Sequence, residues 1–176
     1  MAKLEIINRR VEYQGRAFEV HRLDLKLPDG RTHEFDLVAH HNSISIMPLD
    51  NEGNLLFVRQ YRVGAEGELL ELPAGVLEEG EDPLEGAMRE VREETGLAAK
   101  KVIPLGEGYL APGYASELMY FYLATDLYPA PLEQDADEFI SLVKIPVKEA
   151  YRMGRAGEIR DSKTMAALFL AEKFVL

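Results

Sequence analysis

The spacing of apolar and polar positions changes several times along the chain, and each change marks an element. Through 16–27 and again through 31–40 the two kinds alternate, as in strands with one covered face, and Pro28, Asp29 and Gly30 between them supply a tight turn. From residue 43 the apolar runs are more continuous. Residues 43–49 and 55–61 read as strands around a turn at 50–53, and 69–72 reads as a short strand. Further strands are predicted at 102–109, 118–124 and 139–145, and helices around 148–153 and from about 162 to 174. Strands mixed with a few helices, without regular alternation, predict an α+β fold. The change of character near residue 40 predicts an N-terminal strand region over 1–40 and a main domain over 41–176.

A different period governs 75–97, GVLEEGEDPLEGAMREVREETGL. Asp82 is a good N-cap, Pro83 suits the first helical position and Glu85 sits where a capping box wants an acid. Gly96 can take the left-handed conformation that ends the helix. Leu84, Ala87, Met88 and Val91, spaced i, i+3, i+4, i+7, form the stripe expected to be buried. Glu90, Glu93 and Glu94 fall on a neighbouring arc. Crowding three carboxylates there invites repulsion of about 0.2–0.5 kcal/mol per exposed i,i+4 pair, so a cation is expected among them. Hard divalent ions take oxygen ligands and commonly bridge carboxylate to phosphate, which points to a phosphate-bearing third party. For an arbitrary Glu-rich helix a solvated face is the ordinary explanation.

The spacing overturns that ordinary explanation. Gly75, Glu81, Arg89, Glu90, Val91, Glu93, Glu94, Gly96 and Leu97 match, position for position, the Nudix box. With each of seven fixed residue types at roughly 7% usage, a chance match is on the order of 10⁻⁸ per starting position. More of the chain resembles the ADP-ribose pyrophosphatase branch of the Nudix hydrolases: LPDGR at 27–31, VRQYR at 58–62, ELPAG at 71–75, APGYASE at 111–117, DADEF at 135–139 and GEIRDSKTMAALFLA at 157–171. Pro112, sixteen residues past Gly96, matches a proline that accompanies ADP-ribose preference in that branch.

The resemblance implies an α/β/α sandwich with a mixed sheet, preceded by N-terminal antiparallel strands that are exchanged in a homodimer. It implies hydrolysis of the pyrophosphate of ADP-ribose or a related nucleoside diphosphate sugar to AMP and ribose 5-phosphate, with Mg²⁺ or Mn²⁺ as cofactor. Glu90 and Glu94, one turn apart on one face, are the leading metal ligands, then Glu93, and the branch adds the backbone carbonyl of Ala74. Glu81 either joins a metal or only holds the loop. Arg89 is read as structural, orienting a ligand through its i,i+4 neighbour Glu93. Many members of the branch place two glutamates where this chain has Ala136 and Glu138, so Glu138 is the leading general base or further ligand, with Asp137 behind it and Glu93 as the other base. Arg59 and Arg62 are candidates for gripping phosphate oxygens, and Glu117 for the substrate's sugar end. Ala115 and Ser116 depart from the Ser or Thr then Asp of many relatives. A platform for the base could come from Tyr13, Phe18 or Phe35, and the four histidines, including the pair His40 and His41, are read as non-catalytic.

Composition narrows the classes further. The 176 residues suit a single core-forming domain, and a net charge of −11 argues against a nucleic-acid surface while leaving room for a small anion held by metal and a few arginines. Without cysteine there is no disulfide framework or thiol nucleophile. MAKLEIINRR has no apolar signal core and no apolar run approaches about 18 residues, so a cytoplasmic protein that does not engage membranes is expected. Two alternatives remain: a Nudix hydrolase for another nucleoside diphosphate compound such as GDP-mannose, NADH or FAD, and a non-catalytic nucleotide sensor, against which the intact glutamate set argues.

Overall fold

The alternating N-terminal residues fold into one antiparallel sheet of β1 (Glu5–Gln14), β2 (Phe18–Lys26) and β3 (Thr32–His40), seen in a computed structural model that describes residues 4–133 and 139–176. β2 lies in the middle, with Phe18 opposite His40 and Lys26 opposite Thr32. The alternation predicts β2 and β3 but not β1. In β1 the register shifts between Ile6 and Asn8 and between Val11 and Tyr13, and such bulges break the period of two that would have betrayed a strand. All of β1 is exposed, Ile6, Ile7, Val11 and Tyr13 among it, whereas Leu23 and Leu25 of β2 are buried. Residues 109–118 belong to this same unit. Val38 N donates to Tyr114 O (2.8 Å) and Ser116 N to Val38 O (3.0 Å), so that segment is tied along β3.

The second unit comprises residues 43–108 and 119–176. It contains β4 (Ser43–Pro48), β5 (Asn54–Arg62), β6 (Gly67–Glu71), β7 (Ala74–Val76), α1 (Pro83–Thr95), β8 (Leu97–Tyr109), β9 (Leu118–Pro129), β10 (Ile140–Pro146), α2 (Val147–Arg155) and α3 (Ser162–Val175). One sheet has the order β7-β4-β9-β8, with β4 antiparallel to β7 and parallel to β9. The other is antiparallel, β10-β5-β6. Every residue of β4 is buried, Ser43 and Ser45 included. Its pleat serves two cores. Ile44 and Ile46, with Tyr122 and Ala124 of β9, pack against Ala87 and Val91 of α1. Met47, with Phe121 and Leu123, packs with Phe57 of β5, Ala150 of α2 and Ala167 and Leu168 of α3. Helices therefore cover both faces, giving the expected α/β/α sandwich around a mixed sheet. Among the described residues no helix is long and apolar enough to cross a membrane.

One packing expectation is corrected. The buried face of α1 is Gly86, Ala87, Glu90, Val91 and Glu94, while Leu84 and Met88 are exposed. Gly86 explains the rotation. An added Cβ there would stand 2.5 Å from Leu77 Cδ2, so the chain before the helix packs on the glycine and turns the carboxylate flank inward. In α3 Leu168 and Ala171 are buried and Phe169 is at the surface. β7 was not predicted, being three residues held to β4 by the Ile44 and Gly75 register and by Ile46 N donating to Pro73 O at 2.9 Å. The ends of α1 are as expected: Asp82 Oδ1 accepts from Leu84 N (2.9 Å) and Glu85 N (3.4 Å), and Gly96 has φ 72°.

Replacing the cap, Asp82→Ala, should cost about 1 kcal/mol. Phe57→Ala, at a fully buried position, should cost about 3–5 kcal/mol. Urea denaturation checks both, and equal losses would contradict this placement of core and cap.

Candidate functional site

The capped helix α1 carries its acidic flank to β7, where side chain and backbone meet closely. A Cβ on Gly75 would lie 1.8 Å from Glu90 Oε1, so only a glycine admits the Glu90 carboxylate here. Glu90 and Glu94 are both buried, at 7% and 4% exposure. Next to them lies a cavity of about 380 Å³, lined by Arg62, Ala74–Val76, Glu78, Arg89, Glu90 and Glu93.

Arg89 organises the acids. Its Nη1 donates to Glu90 Oε1 (2.6 Å) and Glu93 Oε2 (2.9 Å), and its Nε and Nη2 donate to the two oxygens of Glu81 at 2.9 and 3.0 Å. Nη2 also reaches Val76 O at 3.3 Å. Glu81 in turn accepts from Glu78 N (2.9 Å), which fixes the loop between β7 and α1. The hydrogen bonds of Arg89 hold the Glu81 carboxyl below the ordinary carboxylate range, and those of Glu81, with Glu90 and Glu93, hold Arg89 still more firmly protonated. Three carboxylates nevertheless share one guanidinium. Among the described residues no three His, Asp or Glu side chains converge as a ready metal-binding group.

A second ionic group includes Arg62, which also lines the cavity. Glu71, 1% exposed, accepts from Arg62 Nε (2.8 Å) and Nη2 (2.7 Å) in a two-pronged pair. It also accepts from Lys163 Nζ, which lies 3.0 Å from Asp161 Oδ1. Burial pushes the Glu71 carboxyl up, but the hydrogen bonds and charges of Arg62 and Lys163 outweigh it and leave the group below its ordinary value. Thr164 completes the group: its Oγ1 accepts from Leu72 N (2.8 Å) and donates to Asp161 Oδ2 (2.6 Å).

The residues singled out from the sequence are distributed as follows. Ala74, Glu90 and Glu93 line the cavity, and Glu94 is buried on the same flank of α1. Arg62 lines it with one edge of its guanidinium held by Glu71. Arg59 does not line it and is exposed on β5, three residues away and hence on the other face of the strand. Glu117 belongs to the N-terminal unit, with its carboxylate 3.8 Å from His40 Nδ1. Phe18 lines a cavity of about 440 Å³ within that unit. Asp137 and Glu138 lie outside the described residues. Glu71 and Lys163 were not anticipated. A signal for Lys163 existed, since a lysine in the first turn of a helix opposes the macrodipole and asks for a specific partner.

The sequence model of the NUDIX domain matches residues 39–168. ADP-ribose pyrophosphatase of Bacillus subtilis (strain 168) is 32% identical, over 89% of this chain and 85% of its own. ADP compounds hydrolase NudE of Escherichia coli (strain K12) is 29% identical, over 99% of this chain and 95% of its own. A crystal structure of an ADP compounds hydrolase superposes with a TM-score of 0.87 at 28% identity, covering 99% of this chain and 95% of that one.

Because the folded value of Glu71 is depressed, its contribution to stability is complete above the ordinary value of 4.5 and is lost as pH falls through the folded value. Glu71→Gln, which takes one of its two counter-charges from buried Lys163, should lose about 3 kcal/mol at pH 7. The deficit should shrink as the parent is acidified below 4.5. Urea titrations at pH 7 and at more acid pH test this; a deficit independent of pH would refute it.

Proposed function

The chain belongs to the NUDIX family, and from that premise we propose that it hydrolyses the pyrophosphate bond of ADP-ribose or a related nucleoside diphosphate sugar, releasing AMP and ribose 5-phosphate, with Mg²⁺ or Mn²⁺ as cofactor. The observation that carries this reading is the crowding of Glu90, Glu93 and Glu94 along one flank of α1, against a glycine and beside a cavity that Arg62 also lines. The names of the relatives, an ADP-ribose pyrophosphatase and an ADP compounds hydrolase, support the substrate class.

The donor set fits a hard divalent cation. It consists of carboxylate oxygens on one helix flank, too many for the single guanidinium among them, with the Ala74 backbone beside them. Glu90, Glu94 and Glu93, with the Ala74 carbonyl, would hold the ion, and Glu90 and Glu93 reach it by side-chain rotation away from Arg89. When bound, such an ion neutralises phosphate oxygens and activates water. Arg62 offers the N–H bonds not taken by Glu71 to a phosphate oxygen, orienting the pyrophosphate. Glu138, outside the described residues, is the leading base for the attacking water, and Glu93 is the other base proposed. Arg59 and Glu117 are carried as substrate-binding residues on the resemblance.

A second reading, another nucleoside diphosphate, rests on the 109–118 segment. Ala115 has no polar side chain, and Ser116 Oγ accepts from His40 N (3.0 Å) and donates to His40 O (3.2 Å), spending its hydrogen bonds within its own unit. We place the protein in the cytoplasm and its N-terminal strand region, residues 1–40, in a homodimer. The dimer is supported by the exposed Ile6, Ile7, Val11 and Tyr13 of β1.

Incubated with Mg²⁺ and a panel of ADP-ribose, GDP-mannose, NADH, FAD and nucleoside triphosphates, the protein should give AMP and ribose 5-phosphate from ADP-ribose. Glu94→Gln should lower kcat by about a thousandfold or more, as expected when charge stabilisation of the transition state is lost. No metal-dependent cleavage of any compound would sink the enzymatic reading, and preference for GDP-mannose would keep the mechanism but replace the substrate. Ile7→Asp with Val11→Asp should turn a dimer into a monomer by mass in solution; an unchanged mass would remove β1 from the interface.

A further inference from the structure

We propose that Lys163, on the first turn of α3, is a positioning residue for substrate binding: it holds the buried Glu71 carboxylate, which clamps Arg62 so that its remaining N–H bonds face the cavity. This rests on the reading of that cavity as the pyrophosphate site. The geometry that supports it begins with an expensive placement. The Lys163 side chain is 11% exposed and lies at a helix N-terminus, where both desolvation and the macrodipole oppose a cation. Glu71, 92 residues distant in sequence, is its hydrogen-bond partner, and Asp161, the α3 cap, is its second counter-charge.

The consequence falls on Arg62. Glu71 uses the Nε edge of the guanidinium, through Nε at 2.8 Å and Nη2 at 2.7 Å. Of the five N–H bonds of an arginine, three remain, on Nη1 and on the outer side of Nη2. Because the planar fork is rigid, fixing one edge fixes the direction of the others. Arg62 alone could not be so fixed by an exposed acid, since its side chain is 40% exposed and an exposed pair is loosely held. Glu71 supplies the fixity by being buried, and Lys163 with Asp161 makes that burial tolerable. Through Thr164 Oγ1, which accepts from Leu72 N, the same turn of α3 also ties down the chain that leads to Ala74 and Gly75. Glu71 and the segment leading to Ala74 are thus both tied to one helix end.

The test compares Lys163→Met, Lys163→Arg and Arg62→Ala, singly and with Lys163→Met combined with Arg62→Ala, in the full chain with Mg²⁺ and the panel compound the parent cleaves best. Lys163→Met should raise KM about tenfold with kcat within about threefold, the pattern of lost uniform binding. Lys163→Arg should restore KM to within about threefold of the parent, and in the Arg62→Ala background Lys163→Met should raise KM no further, because the two act through one contact. Melting temperatures separate folding from binding, and Lys163→Gln replaces Lys163→Met if the latter melts at assay temperature. A fall in kcat and melting temperature with unchanged KM, or an additive KM effect in the double variant, would overturn the proposal. A readout independent of turnover is the arginine Nε–H resonance of Arg62 in ¹H–¹⁵N spectra, which should be protected from exchange in the parent and lose that protection in Lys163→Met. Retained protection would sink the clamp, whereas absence of cleavage by the parent would sink the pyrophosphate reading and with it the role of Lys163, so the two failures are distinguishable.

Discussion

One guanidinium among three carboxylates sets the terms for the acidic flank of α1. Arg89 binds Glu81, Glu90 and Glu93 at once, and without it the helix would bring like charges against β7 without the cation they share. The arrangement is incomplete as charge balance, and this is what suits it to a metal-dependent hydrolase. A fully neutralised cluster would have no affinity for a cation, and an unneutralised one would repel itself out of the helix's buried face. Arg89 keeps the acids ordered while leaving them in excess.

Around that core of charge the backbone does much of the fitting. Gly75 admits Glu90 where any Cβ would collide, and Gly86 admits Leu77, which rolls α1 until its carboxylates point to β7. The doubly buried β4 holds the arrangement from beneath, carrying β7 on one edge and packing α1 through Ile44 and Ile46. The group around Glu71 has the complementary design, with Glu71 as one acid between two cations and Asp161 beside the second. The proposed division of labour follows from the two balances: acids in excess to gather a cation on one side, and a held guanidinium to meet the phosphate on the other.

Much of this was legible in the chain. The cap at Asp82, the stop at Gly96 and the Nudix spacing are local features, decided within a few residues, and they survive folding unchanged. The continuous apolar run in β5 could be read as a strand for the same reason. β1 escaped because its bulges scramble the alternation, and β7 because three residues carry no period at all. The face of α1 was misjudged by one flank, since Leu84 and Met88 are as apolar as Ala87 and Val91, and only the packing of Leu77 on Gly86 chooses between them.

The amino-acid sequence by itself determined the family, the acidic helix and the kind of chemistry that such a helix can serve, because spacing along a helix is set by its 3.6-residue turn whatever surrounds it. Tertiary structure alone decided that Arg62 is held by Glu71 and that Lys163 reaches that acid from α3. Those pairings join positions as far as 92 residues apart. Nothing local in either segment encodes its partner, and the burial that gives such a pair its strength exists only once sheet and helix have closed over it.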